Sequence, residues 1–162
     1  MASKFVWNWL FPGNLAIGSH PQTEQDWNVL RRVGITAVFN CCFPEEDRHL
    51  PTVPVDWEWK TVRSSLPDHR RQIPLSEEII KHSLEAICEL YAKSECLYVH
   101  CWAGQERSVL MSIGLLALQY NMTIFEALDY IKREHPQAKP IFDQLAILDE
   151  VLNSPFAREE IG

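Results

Sequence analysis

The chain's 162 residues suffice for one domain with a sizeable core. At 46% hydrophobic and 23% charged residues, its composition excludes a disordered chain. Fifteen Lys and Arg against 22 Asp and Glu leave a formal net charge of −7, which argues against broad binding to nucleic acid or an anionic membrane, since both need a basic face.

The first residues lack a signal-peptide layout, and two extended runs follow, 5–10 and 15–18, split by the turn Pro12-Gly13-Asn14. A helix is predicted from Thr23, capped with Asp26 and stopped by Gly34. The β-branched and aromatic run 35–39 predicts a buried strand. Residues 43–54, acidic and proline-bearing, are expected to form a loop, and residues 55–62 a second strand. Residues 64–74 have no period and predict a long loop. Ser76 then caps a helix carrying Ile80, Leu84, Ile87, Cys88 and Tyr91 at helical spacing.

Residues 96–99 predict a short apolar strand, followed by a Gly-containing turn and a nearly all-apolar helix over 107–120. Its longest apolar run, 109–118, is about half a membrane span, which reads as a buried helix. Thr123 with Glu126 starts a further helix that Pro136 ends, and Ile141, Leu145, Leu148 and Leu152 mark the last. Strands alternating with helices imply an α/β fold with a central, mainly parallel sheet flanked by helices. No repeat or linker divides the chain, so a single domain over 1–162 is expected, with its core at about 12–152.

In such sheets ligands bind beyond the carboxyl ends of the strands. There the sequence reads His100-Cys101-Trp102-Ala103-Gly104-Gln105-Glu106-Arg107-Ser108. A Cys and an Arg separated by five residues, between a buried strand and a buried helix, can cradle a phosphate. The backbone N–H groups of Trp102, Ala103, Gly104, Gln105, Glu106 and Arg107 can turn inward, Gly104 permitting a positive φ, and the helix adds its positive end. Arg107 can grip two phosphate oxygens with its planar fork.

Inward donors and a cation favour a thiolate, so Cys101 is the candidate nucleophile, with Ser108 placed to hydrogen-bond the sulfur and help it leave. A departing alkoxide or phenoxide needs a proton, for which the candidate is Asp68, 33 residues before Cys101 on the long loop, and also the base for the second step. His100 is expected to orient the loop by hydrogen bonding. Trp102 faces either the pocket wall or the core. The neighbours His69, Arg70 and Arg71 either steer a phosphorylated substrate or form a solvated loop.

These residues resemble a known family. Residues 100–108 look like the HCxxGxxRS signature of the protein tyrosine phosphatase superfamily, and the chain length and Leu66-Pro67-Asp68 resemble its small dual-specificity branch. Residues 13–19 are similar to the opening PGxLxxGS segment and 34–38 to the GITxV strand. Residues 134–145, with Pro136, Pro140, Phe142, Gln144 and Leu145, look like the segment packing under the loop. The resemblance covers roughly residues 12–152. It implies a protein tyrosine phosphatase-like fold, Cys101 as nucleophile, Arg107 as phosphate binder, Asp68 as acid, Ser108 as the hydroxyl assisting turnover, and no metal or other cofactor. Two positions depart from the family pattern: Glu106, where small or neutral residues are commoner, and Ile141, where Asn is frequent.

Five Cys with no CxxC and no metal-ligand spacing suggest neither a disulfide scaffold nor a zinc site, and a reducing, cytoplasmic compartment is expected. Cys41 and Cys42 close the predicted 35–40 strand, near the Cys101 loop. They are either redox partners that protect Cys101 through a reversible disulfide or idle buried thiols.

The expected function is a monomeric enzyme that removes phosphate from phosphotyrosine, and from phosphoserine and phosphothreonine, in proteins, without nucleic-acid or membrane partners. A phosphatase for phosphoinositides, RNA 5′-phosphates or sugar phosphates is the alternative, disfavoured by a loop that holds Glu106 and no Lys. A phosphate-binding module without turnover is the third.

Overall fold

The computed structural model describes residues 4–155. Five strands, β1 (Trp7–Phe11), β2 (Leu15–Gly18), β3 (Ala37–Asn40), β4 (Lys60–Arg63) and β5 (Leu97–His100), form one sheet in the order β1-β2-β5-β3-β4. Only the β1–β2 hairpin is antiparallel; β2, β5, β3 and β4 run parallel. The helices are α1 (Glu24–Arg32), α2 (Pro44–Asp47), α3 (Glu77–Lys93), α4 (Arg107–Tyr120), α5 (Ile124–Glu134) and α6 (Phe142–Leu152).

The central strands are apolar on both faces, as a doubly covered parallel sheet requires. Leu15, Ile17, Ala37, Phe39, Leu97 and Val99 point into the larger core. The alternate residues Ala16, Val38 and Tyr98 meet Trp27, Leu30 and Ile35 on the opposite face. Trp7, Trp9, Trp57 and Trp59 pack against this second cluster. Helix α4 is buried from Arg107 to Leu116, consistent with its apolar character on all sides.

Thr23 caps α1 in a reciprocal box with Asp26, and the side chains of Ser76 and Thr123 cap α3 and α5. Two expectations change. Residues 43–54 are not all loop: Pro44, whose fixed φ suits the first helical position, starts α2, and three carboxylates occupy its first turn. Residues 55–62 are not one strand: residues 55–57 form a 3-10 turn and Glu58 takes a left-handed φ of 58°, so extended structure begins only at Lys60.

Strand β5 lies between β2 and β3, so the carboxyl ends of the parallel strands converge around the segment leaving His100. That is the switch-point position of open α/β sheets.

Candidate active site

Residues 101–106 link β5 to α4 in a loop whose carbonyls are tied outward. His100 Nδ1–H donates to Cys101 O (3.2 Å), and the His20 N–H to Trp102 O (3.0 Å). His135 Nε2–H donates to Gly104 O (2.6 Å), and the Lys139 N–H to Gln105 O (2.7 Å). In a planar trans peptide the N–H points opposite the C=O. The N–H groups of Trp102, Ala103, Gln105 and Glu106 therefore face the concave side of the loop. Gly104 makes the turn at φ 73°, where a Cβ would stand 2.6 Å from the Gly18 carbonyl carbon.

Cys101 lies buried at the base of this ring, its Sγ 3.3 Å from Ser108 Oγ in the first turn of α4. Arg107, 2% exposed, is held from behind. Its Nη1 donates to Glu46 Oε2 and its Nη2 to Glu46 Oε1, both at 2.8 Å, while Nη1 also reaches Leu66 O at 3.2 Å and Cys41 O at 3.4 Å. These bonds occupy the Nη1–Nη2 end of the guanidinium and leave Nε–H with the second Nη2 hydrogen as the fork for an oxyanion. Burial opposes the Arg107 charge, but the hydrogen bonds and negative charge of Glu46 prevail and raise its pKa further. Burial likewise pushes Glu46 up, yet the bonds from Arg107 and the Phe43 N–H bring it below the ordinary carboxylate value.

Asp68 reaches over the site from the long loop, its Oδ2 4.0 Å from Arg107 Nη2. The Arg70 N–H and Nε–H donate to its two oxygens. Burial raises its pKa, but the charge of Arg107 and the contacts from Arg70 outweigh that and lower it overall. The neighbouring bases are tethered: His69 to Glu106, Arg70 to Asp68, and Arg71 to Glu45 while lying over the Phe43 ring.

His100 is fully buried; burial, reinforced by His20, drives its pKa well down, so it stays neutral and donates from Nδ1. The half-buried Trp102 ring lies 6.2 Å from His20, while Trp102 joins the loop through its backbone. Cys41 and Cys42 are buried free thiols. Burial raises both, with Cys101 adding to Cys41 and Arg107 opposing, so both stay protonated. Ile141 stands at the start of α6 without a side-chain cap; Gln144, one turn on, instead supports the loop by donating to Glu106 at 3.2 Å.

Two supporting residues escaped the sequence reading. Glu46 lies in the segment expected to be loop; its signal is a carboxylate just past the carboxyl end of β3, the edge where Cys101 also sits. His135 closes α5 and is fully buried, its Nδ1 accepting from Asn8 (2.8 Å) while Nε2 holds Gly104. The resemblance marked its segment and not its imidazole.

Residues 4–134 match the family described as "Swiss Army Knife protein, DSP-PTPase phosphatase domain" (PTP-SAK). The chain belongs to this family. It therefore carries a cysteine-dependent phosphatase domain of the dual-specificity type. It is 25% identical over 131 residues to Dual specificity protein phosphatase 1 of Arabidopsis thaliana, covering 81% of this chain and 59% of that one. To mouse Dual specificity protein phosphatase 14 it is 25% identical over 132 residues, with the same coverage of 81% and 59%. The chain thus spans about three-fifths of the length of these curated relatives.

Among solved structures, PTPMT1 in complex with PI(5)P superposes with a TM-score of 0.77 at 20% identity, covering 94% of this chain and 97% of that one. The human tyrosine phosphatase-like serine/threonine/tyrosine-interacting protein superposes with a TM-score of 0.73 at 18% identity, covering 89% and 93%. These likenesses establish the protein tyrosine phosphatase-type fold of this PTP-SAK domain.

Proposed function

We propose that the domain hydrolyses phosphate monoesters on proteins, phosphotyrosine and also phosphoserine and phosphothreonine, through a phosphocysteine at Cys101. The observation that carries this is the Cys101 sulfur at the base of an inward N–H ring, with Arg107 clamped beside it and Asp68 4.0 Å from that guanidinium.

A monoester dianion enters the ring and takes two bonds from the Nε–Nη2 edge of Arg107. The Cys101 thiolate attacks phosphorus in line; the S–P bond forms as the P–O bond to the leaving group breaks, and Asp68 gives its proton to that oxygen. In the unliganded site the field of Arg107 keeps Asp68 ionised. A bound dianion neutralises that field and adds negative charge beside the carboxyl, which returns the proton to Asp68. In the second step the Asp68 carboxylate takes a proton from water, the oxygen attacks phosphorus, and the sulfur leaves as a thiolate that Ser108 stabilises from 3.3 Å.

Charge supports a protein substrate over a polyanionic lipid. Arg107 is the only Lys or Arg in residues 101–107, and Glu46 already engages one end of its guanidinium. Hydrolysis of p-nitrophenyl phosphate by wild type and Cys101→Ser tests the mechanism, and equal rates would refute it. Phosphotyrosine, phosphoserine and phosphothreonine peptides beside phosphoinositide vesicles test the substrate class. Faster turnover of the vesicles would overturn the protein assignment.

A further inference from the structure

Glu106 precedes Arg107 in the phosphate loop, yet its side chain does not face the loop's interior. Its carboxylate, 11% exposed, accepts three hydrogen bonds. The His69 N–H donates to Oε2 at 3.0 Å, His69 Nδ1–H to Oε1 at 2.5 Å, and Gln144 Nε2–H to Oε2 at 3.2 Å. Two of these donors come from the residue that follows Asp68. The third comes from α6, which aligns the carboxylate from beneath.

We infer that Glu106 is a latch holding the Asp68 loop over the phosphate loop, and therefore a positioning residue for proton donation. The inference rests on the proposed role of Asp68 as general acid. The N–H that Glu106 grips belongs to the peptide joining Asp68 to His69, so the bond fixes the plane from which the Asp68 side chain departs. Elsewhere the loop is held by the Leu66 N–H, which donates to Cys41 O (3.0 Å), and by Leu66 O, which accepts from Arg107 (3.2 Å). Both contacts lie before Asp68. Past Asp68 the Glu106–His69 pair is the connection to the nucleophile's own loop, and two charge-assisted bonds make it the stronger tether. Arg71 docks on Glu45 and Phe43, outside that loop.

A latch on the acid has a signature that general damage lacks. An ester of a weakly acidic alcohol needs Asp68 to donate; an ester of a strongly acidic phenol leaves unaided. Glu106→Ala is expected to lower kcat/KM, which reports the P–O cleavage step alone, by about 10-fold or more on phenyl phosphate, with a several-fold smaller loss on 2,4-dinitrophenyl phosphate, in the same direction as Asp68→Asn. His69→Ala, which removes only the imidazole arm, is expected to tilt the same ratio less. Glu106→Gln, which keeps an oxygen for the His69 N–H, restores most of the ratio.

If Asp68→Asn tilts the ratio but Glu106→Ala and His69→Ala slow both esters equally, the latch is refuted and the phosphatase mechanism stands. If Asp68→Asn does not tilt it, both the acid and its latch are wrong. If Glu106→Ala fails to fold, His69→Ala and Glu106→Gln decide by the same ratio. An unchanged ratio in His69→Ala would then refute the latch.

Discussion

Glu46 receives both Nη groups of Arg107 at 2.8 Å, and Glu46→Ala would leave that buried guanidinium without its carboxylate. Breaking a fully buried ion pair from one side costs about 3–5 kcal/mol. Two features of this site reduce the figure. Glu46 keeps 17% of its side-chain surface, so water can replace part of it, and Arg107 retains the Leu66 and Cys41 carbonyls. The discounted cost is about 2–4 kcal/mol. At about 2–4 °C per kcal/mol for a domain of this size, the melting temperature should fall by roughly 5–15 °C.

The pH dependence of that difference is an internal check. The Glu46 carboxyl lies below its ordinary value in the folded state, so its contribution is complete above the unfolded value. It is lost as pH falls through the lower, folded one. The gap between wild type and Glu46→Ala, followed by thermal melting, should hold at neutral pH and close only below about pH 4. Catalysis should suffer as well, with a higher KM and a lower kcat on p-nitrophenyl phosphate, because an unclamped guanidinium no longer presents its Nε–Nη2 edge. A variant melting within 2 °C of wild type, roughly 1 kcal/mol or less, with unchanged kcat/KM would refute the clamp.

As the proposed general acid Asp68 must be protonated to donate, so activity is expected to fall as pH rises through its pKa. Since Arg107 lowers that value in the free site, the falling limb of kcat/KM should lie at lower pH than that of kcat, and Asp68→Asn should abolish both limbs. Gly104→Ala imposes a side chain at φ 73° and 2.6 Å from Gly18, so about 1–2 kcal/mol of backbone strain adds to about 1–3 of overpacking. Vanadate titration and melting should show weak binding and a loss of roughly 2–5 kcal/mol. His135, whose pKa burial lowers from 6.5 despite the bond to Gly104, binds fewer protons folded than unfolded. Stability should therefore decline as pH falls below about 6.5, and less steeply in His135→Gln, as melting from pH 7.5 to 5 can test.

The chemistry-bearing segment was legible because its signals are local. Cys101, Gly104, Arg107 and Ser108 sit within eight consecutive residues between an apolar strand and an apolar helix, and caps, apolar runs and helical spacing locate α3, α4, α5 and α6. The clamp and the latch were not legible, because both depend on distant partners: Glu46 is 61 residues from Arg107, and Glu106 is 37 from His69. An acidic stretch reads as solvated surface until a sheet carries it to a buried cation. The false strand at 55–57 has the converse cause: Val55 and Trp57 carry β propensity, but Pro54 and the left-handed Glu58 set the backbone, leaving Val55 96% exposed.

Five cations around the site are each matched by an acid: Arg107 by Glu46, Arg71 by Glu45, Arg70 by Asp68, Arg63 by Asp47, and His69, when protonated, by Glu106. A site so neutralised projects little long-range positive potential, in a chain whose net charge is −7. Its hold on a dianion must come from groups that act within hydrogen-bond range: the inward N–H ring, the first turn of α4 and the remaining edge of Arg107. Such an attraction selects for a phosphate that enters the ring and is indifferent to a merely anionic surface. On the proposed reading a phosphorylated side chain on an otherwise neutral segment presents the first, whereas the charged surface of a bilayer by itself presents only the second. The carboxylates that a count of charges would mark as hostile to phosphate are what confine the site's affinity to the ring itself.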